Sequence, residues 1–400
     1  MSRTATLVTG LLLSLTLAAC GPAVETGEPD GGGADGGASD GGGDPDGGGG
    51  DGGVAWQCEP DPTLTRGAPV TAPAGAWTWV DVPESRCMDG SQTGFGIRMN
   101  PASDKLMIYL QGGGACFDRF TCATVANQNG FDGADFASFA SSNADRGIFD
   151  STDPANPVHD WNMVFVPYCS GDVHAGSAFI GAQNRTQIGW DNFRAALGRL
   201  VPTFEGASQV LLTGSSAGGF GAALNFPQTQ EAFGCTRVDL LDDAGPPMAD
   251  DYLKPCLQAQ WKDLWNLEAT LPADCADCFG ADGGGIVNFM PYLAERYPGS
   301  NLGLLSSTGD QTIRTFFSYG YSADCSRPAT MPAADFEAGL IDLRDRVMLG
   351  HSNAASFYER GDFHTFLGSN PGGHSVEGVD LNTWIGALVA HDPAWQSVGP

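Results

Sequence analysis

Apolar residues in this chain gather into short unbroken runs that stop at glycine-rich corners, with one longer stretch in which they recur at helical spacing. Leu106-Met107-Ile108-Tyr109-Leu110 ends in Gly112-Gly113-Gly114 and predicts a buried strand feeding a tight turn. Residues 161–168 (WNMVFVPY) form a second run, Val210-Leu211-Leu212 a third, and Val238-Asp239-Leu240-Leu241, closed by Asp242-Asp243-Ala244-Gly245, a fourth. Residues 301–307 and 354–358 predict two more strands. Between 190 and 204, Phe193, Leu197, Leu200 and Val201 repeat as on one face of a helix. Strands alternating with helical stretches predict an α/β fold whose mainly parallel sheet is covered on both faces. Such sheets place ligands beyond the carboxyl ends of their strands.

The chemistry concentrates at those strand ends. Gly214-Ser215-Ser216-Ala217-Gly218 follows the third run and precedes the small-residue stretch Gly219-Phe220-Gly221-Ala222-Ala223-Leu224. In G-x-S-x-G a strained strand-to-helix corner lifts the serine hydroxyl clear of the sheet, and glycines stand where a Cβ would clash. Ser216 is the candidate nucleophile. Its hydroxyl needs a base oriented by a carboxylate, and the chain order Ser, Asp/Glu, His of α/β-hydrolases leaves His351, His364, His374 and His391 as possible bases. His364 immediately follows the last strand run, where a loop could return its imidazole to the serine; His374, after Pro371-Gly372-Gly373, and His351 are the alternatives. Asp310, closing 304–310 (LLSSTGD), is the candidate acid and Asp243 its competitor; otherwise Asp243 shapes the cleft floor or caps the next helix. A tetrahedral intermediate also needs N–H donors, which Ala217 and the Gly112-Gly113-Gly114 turn can supply.

Four blocks then match a known family in order: residues 109–117 (YLQGGGACF), 161–172 (WNMVFVPYCSGD), 214–219 (GSSAGG) and Asp243-Ala244-Gly245. The chain resembles the pectin acetylesterase family, which includes plant pectin acetylesterases and the Notum carboxylesterases. The resemblance implies an α/β-hydrolase-like fold and a Ser-Asp-His triad needing no metal or other cofactor. It places the nucleophile on Ser216, the oxyanion donors on Gly113, Gly114 and Ala217, the acid on Asp310 and the base on His364. Family members often carry a tryptophan beside the glycine turn, where this chain has Gly114 and Ala115, and Notum has one where His174 stands. His174 and Asp243 are therefore candidate substrate-lining residues, a structural hydrogen-bonding role being the other reading of His174.

Outside this region the composition changes character. Residues 1–20 read as an export signal: Arg3, the apolar stretch 7–17, and Leu17-Ala18-Ala19-Cys20. The last four resemble a bacterial lipobox, with Cys20 the lipid-modified residue; Gly21 after it favours the outer membrane or cell surface. Plain secretion is the alternative. Residues 21–53, rich in Gly and Asp with no aromatic residue, Lys or Arg, predict a disordered tether spanning on the order of 30 Å, and 54–400 a single catalytic domain. The net charge of −28 argues against nucleic-acid binding, and membrane association is expected through the anchor alone. Beyond Cys20 ten of the 11 cysteines remain, an even number that predicts disulfides in an exported chain. Cys116–Cys122 is the best pair, and Cys275-x-x-Cys278 lacks the second half of a zinc site.

The expectation is a surface-tethered serine esterase that removes O-acetyl groups from a polysaccharide through an acyl-enzyme. A lipase or protein deacylase with the same residues, and a non-catalytic glycan-binding lipoprotein, are the alternatives.

Overall fold

A computed structural model describes residues 56–400. Eight strands form its main sheet: β1 (Trp77–Arg86), β2 (Gln92–Arg98), β3 (Lys105–Leu110), β4 (Asn162–Val166), β5 (Gln209–Ser215), β6 (Arg237–Asp243), β7 (Leu302–Ser307) and β8 (Ala354–Glu359), in the spatial order β1-β2-β4-β3-β5-β6-β7-β8. β2 runs antiparallel to both neighbours, and β4, β3, β5, β6, β7 and β8 are mutually parallel. This is the α/β-hydrolase-like architecture.

The unbroken apolar runs are explained by burial on both faces of the sheet. Along β3, Leu106, Ile108 and Leu110 join one core cluster while Met107 and Tyr109 join the other. β5 divides the same way, Val210 and Leu212 against Leu211, as the two-residue period of a strand requires. Burying one such side chain contributes about 1.5–3 kcal/mol, so both faces hold the central strands in register.

The helix expected over 190–204 is Gly189–Thr203. β4 is shorter than the run 161–168 because Pro167 has no N–H to continue the ladder; beyond it, the Tyr168 N–H donates to Gln111 Oε1 at 3.0 Å. β1 and β2 had no clear apolar pattern. β1 is bulged between Val82 and Arg86, around Pro83, and β2 carries Gly94 and Gly96, where a Cβ would strike Val80 and the Phe136 ring respectively.

Five disulfides brace the described residues. Cys116–Cys122, the expected pair, closes the segment after the glycine turn, and Cys87–Cys169 ties the end of β1 to the loop after β4. Cys256–Cys325 joins the helix Pro255–Trp265 to the loop beyond Tyr321. Cys58–Cys235 pins the amino-terminal segment, and Cys275 pairs with Cys278. The signal segment, Cys20 and the tether lie outside the described residues.

Candidate active site

β5 ends at Ser215 and the helix Ala217–Leu224 begins two residues later, leaving Ser216 as the corner. Its φ of 61° and ψ of −122° are a strained combination for a residue with a Cβ. The surroundings enforce it. The Ser216 N–H donates to Asp243 O at 2.7 Å, and a Cβ at Gly214 or Gly218 would run into Leu110 O of the adjacent strand. The serine is only 8% exposed, yet it lines a cavity.

The glycine turn lies directly against this corner: a Cβ on Gly112 would meet Ser215 O and stand 3.0 Å from Ser216 Cβ. Gly113 O accepts from Ala126 N at 2.9 Å, which fixes that peptide outward. The N–H groups of Gly113 and Gly114 have no backbone partner among the described residues. Ala217, first residue of its helix, contributes an N–H that intrahelical bonding leaves free, at the positive end of the helix dipole. Two segments with unpaired amides thus adjoin the serine, which buried backbone normally avoids.

Asp310 follows β7 and is fully buried. Its Oδ1 caps the helix Gln311–Phe317 by accepting from Thr312 N at 2.8 Å and Ile313 N at 3.0 Å, and its Oδ2 lies 2.7 Å from His364 Nδ1. With Nδ1–H donating to the carboxylate, Nε2 carries the lone pair. The order of strands therefore brings together the acid and base read from the chain. His374 instead pairs with Glu359 at 2.7 Å and packs its ring against Phe363 and Phe366, on either side of His364. His351 sits in the turn before β8 and His391 bonds Asp239.

Asp243 holds a position that sequence reasoning left between acid, cleft floor and helix cap. It is fully buried under the elbow. Its Oδ2 accepts from Ser215 Oγ at 2.6 Å, Phe366 N at 3.0 Å and Leu367 N at 3.0 Å, and its Oδ1 from Phe366 N at 3.1 Å. Ser215 Oγ in turn accepts from the Tyr109 hydroxyl at 3.0 Å. Burial raises the Asp243 pKa, with hydrogen bonds from Ser215, Leu367 and Phe366 opposing it. This carboxylate clamps the loop carrying His364, just past Thr365 with its φ of 72°, to Ser215 at the end of the strand that leads into Ser216. Two buried N–H groups converging on one carboxylate were not visible in the chain, because their residues lie more than 120 positions away.

His174 is buried behind the glycine turn, where its Nε2 donates to Gln111 O at 2.8 Å. Burial pushes its pKa down to about 4, the Gln111 bond opposing that shift, so at neutral pH it is an uncharged support for the turn. Neither His174 nor Asp243 lines the cavity at Ser216; Gly114 and Ala217 do.

That cavity is partly open to solvent. Beyond Ser216 its wall is apolar: Phe220 from the elbow helix, Trp261 and Trp265 from the helix Pro255–Trp265, and Ile313, Phe316 and Phe317 from the helix capped by Asp310. The Trp265 Nε1–H is committed to Cys116 O at 2.9 Å. The last two of these helices carry no clustered chemistry in the sequence, so only their packing reveals them as walls.

The profile of the Pectinacetylesterase family matches residues 76–280, a stretch that holds the glycine turn and the elbow and stops short of Asp310 and His364. Among characterised proteins, the palmitoleoyl-protein carboxylesterase NOTUM of Mus musculus is 32% identical over 176 residues, covering 40% of this chain and 31% of its own length. The Homo sapiens protein of the same name is 34% identical over 158 residues, 36% of this chain and 30% of its own length. The Drosophila melanogaster NOTUM is 30% identical over 167 residues, 36% of this chain and 23% of its own length. The matched stretch thus spans under a third of each of these relatives. With over half of its residues inside the family profile, the chain belongs to the pectinacetylesterase family.

Proposed function

We propose that the protein is a serine carboxylic ester hydrolase whose apolar cavity receives the acyl group. One observation carries this reading: a strained serine, flanked by unpaired backbone amides, opens onto a cavity with almost no polar lining. Ser216 Oγ attacks the ester carbonyl carbon as its proton passes to His364 Nε2, and Asp310 holds the imidazole in the required tautomer. The charge that develops on the carbonyl oxygen is met by the amides of Gly113, Gly114 and Ala217, each such donor being worth about a hundred- to a thousandfold in rate. His364 returns the proton to the leaving alcohol, and water, deprotonated by the same imidazole, releases the acid.

An acetyl group would leave most of the apolar wall formed by Phe220, Trp261, Trp265, Ile313, Phe316 and Phe317 uncovered, whereas a multi-carbon chain would cover it, gaining about 0.8 kcal/mol per buried methylene. The reading of choice is therefore a fatty-acyl ester hydrolase, the class of reaction that the NOTUM relatives' name specifies for them. O-deacetylation of a polysaccharide is the second reading, favoured by the family's description. Five disulfides support an oxidising, exported location, and the lipobox at Cys20 supports a surface anchor, tested by release of the protein from membranes in Cys20→Ala.

Hydrolysis of p-nitrophenyl esters from acetate to palmitate, by wild type and Ser216→Ala, tests the proposal. Turnover that requires Ser216 and peaks above butyrate is expected. Activity confined to acetate would favour the polysaccharide reading. Equal rates for both proteins, or glycan binding without turnover, would overturn the enzymatic one.

A further inference from the structure

The elbow helix does more than start at the nucleophile. Ala217, Phe220 and Leu224 recur at i, i+3 and i+7 along one face of it, and all three line the cavity. Leu224, the last residue of the helix and 6% exposed, also lines a second depression, a solvent-open groove bordered by Trp190, Arg194, Thr270 and Tyr292. No other residue lines both. The chemistry changes across it, from aromatic and aliphatic surface to charged and hydroxylated groups.

We propose that Leu224 is the end wall that fixes the length of acyl chain the enzyme accepts, and that the groove beyond would take up the tail of a longer chain were the wall cut back. The inference rests on the acyl-pocket reading. From Ala217, beside the reacting carbonyl, to Leu224 the helix rises about 10 Å at ~1.5 Å per residue. An extended chain advances roughly 3.6 Å per three bonds, so this depth holds an acyl group of about eight carbons. A saturated medium-chain acyl ester is the substrate class that fills the cavity without reaching the polar groove.

The experiment compares kcat/KM for p-nitrophenyl esters of 2 to 16 carbons in wild type, Leu224→Ala and Leu224→Phe. Wild type is expected to fall off beyond about eight carbons. Because one methylene in such a pocket is worth ~10-fold or more, the laurate-to-butyrate ratio should rise at least tenfold in Leu224→Ala and fall in Leu224→Phe. Calorimetric binding of hexanoate, octanoate and laurate to the Ser216→Ala protein, with and without each Leu224 change, reads the same depth without chemistry. It decides the matter even if no ester is turned over or if one variant fails to fold. An unchanged chain-length profile in both the Leu224→Ala and Leu224→Phe proteins, or a wild type that accepts palmitate as well as octanoate, would refute Leu224 as the wall while leaving the esterase reading standing. Loss of Ser216-dependent turnover with the chain-length binding preserved would do the reverse.

Discussion

Replacing Asp243 by alanine separates a positioning role from a catalytic one. The substitution removes the acceptor shared by Phe366 N, Leu367 N and Ser215 Oγ. Two buried N–H groups left unpaired cost about 1–3 kcal/mol each. Part of that is offset because burying the carboxylate is itself unfavourable, as its raised pKa shows. A net loss of about 2–4 kcal/mol corresponds, at ~2.1 cal/mol/K per residue, to a thermal midpoint roughly 3–6 °C lower. The rate should suffer through geometry: His364 sits two residues from Phe366, and a displacement of the order of 1 Å costs about 100-fold. Differential scanning calorimetry and steady-state ester hydrolysis measure both quantities. Expected are the lowered midpoint and a kcat reduced ~10- to 100-fold with KM little changed and the basic limb of the pH–rate profile retained. A fall in kcat as deep as that of an Asp310 variant, with stability intact, would make Asp243 the acid and refute the clamp.

Three further outcomes follow from the same geometry. Asp310→Asn keeps an oxygen for the helix cap, since Asn caps as well as Asp, but presents the wrong partner to His364 Nδ1; kcat should drop on the order of 10⁴-fold with an unchanged circular dichroism spectrum, and a loss under tenfold would contradict the assignment. Gly112→Ala drives a methyl into Ser215 O and toward Ser216 and should lower kcat about 100-fold or more through the displaced amides; wild-type turnover would show that the turn is not part of the site. Asp242 is fully buried without a close hydrogen-bond donor on either oxygen, and burial holds its pKa well above 3.8, the nearby Gly245 amide opposing this only weakly. The folded chain therefore keeps a proton that the unfolded chain has lost, and stability declines as pH rises from about 4 toward the folded value. Asp242→Asn should flatten that decline in urea midpoints measured from pH 4 to 8, and identical slopes for the two proteins would contradict it.

What could be read from the chain is what is locally encoded. The elbow lies within five residues, and the strand runs of β3 to β8 show because both sheet faces bury every position but an end residue of β3, β6 and β8. The pairing of Asp310 with His364 could be expected from their places after β7 and β8, since a parallel sheet collects strand ends at one edge. β1 and β2 were not, because an edge interrupted by Pro83 and lightened by Gly94 and Gly96 has neither an unbroken run nor clean alternation. The cavity was not legible either. Its walls come from the elbow helix, from Trp261 and Trp265, and from Ile313 to Phe317, and nothing in those segments separately distinguishes an apolar lining from an ordinary core. That lining is the basis on which a longer acyl chain is proposed over acetyl, a distinction the sequence left open.

The reactive serine can be tested without knowing the natural substrate. Incubating the protein with a fluorophosphonate and locating the adduct by peptide mass spectrometry should give one phosphonyl group per chain, on Ser216, with labelling abolished in Ser216→Ala and strongly slowed in His364→Ala. An adduct on another residue, or labelling as fast without His364 as with it, would contradict a hydroxyl activated at that corner.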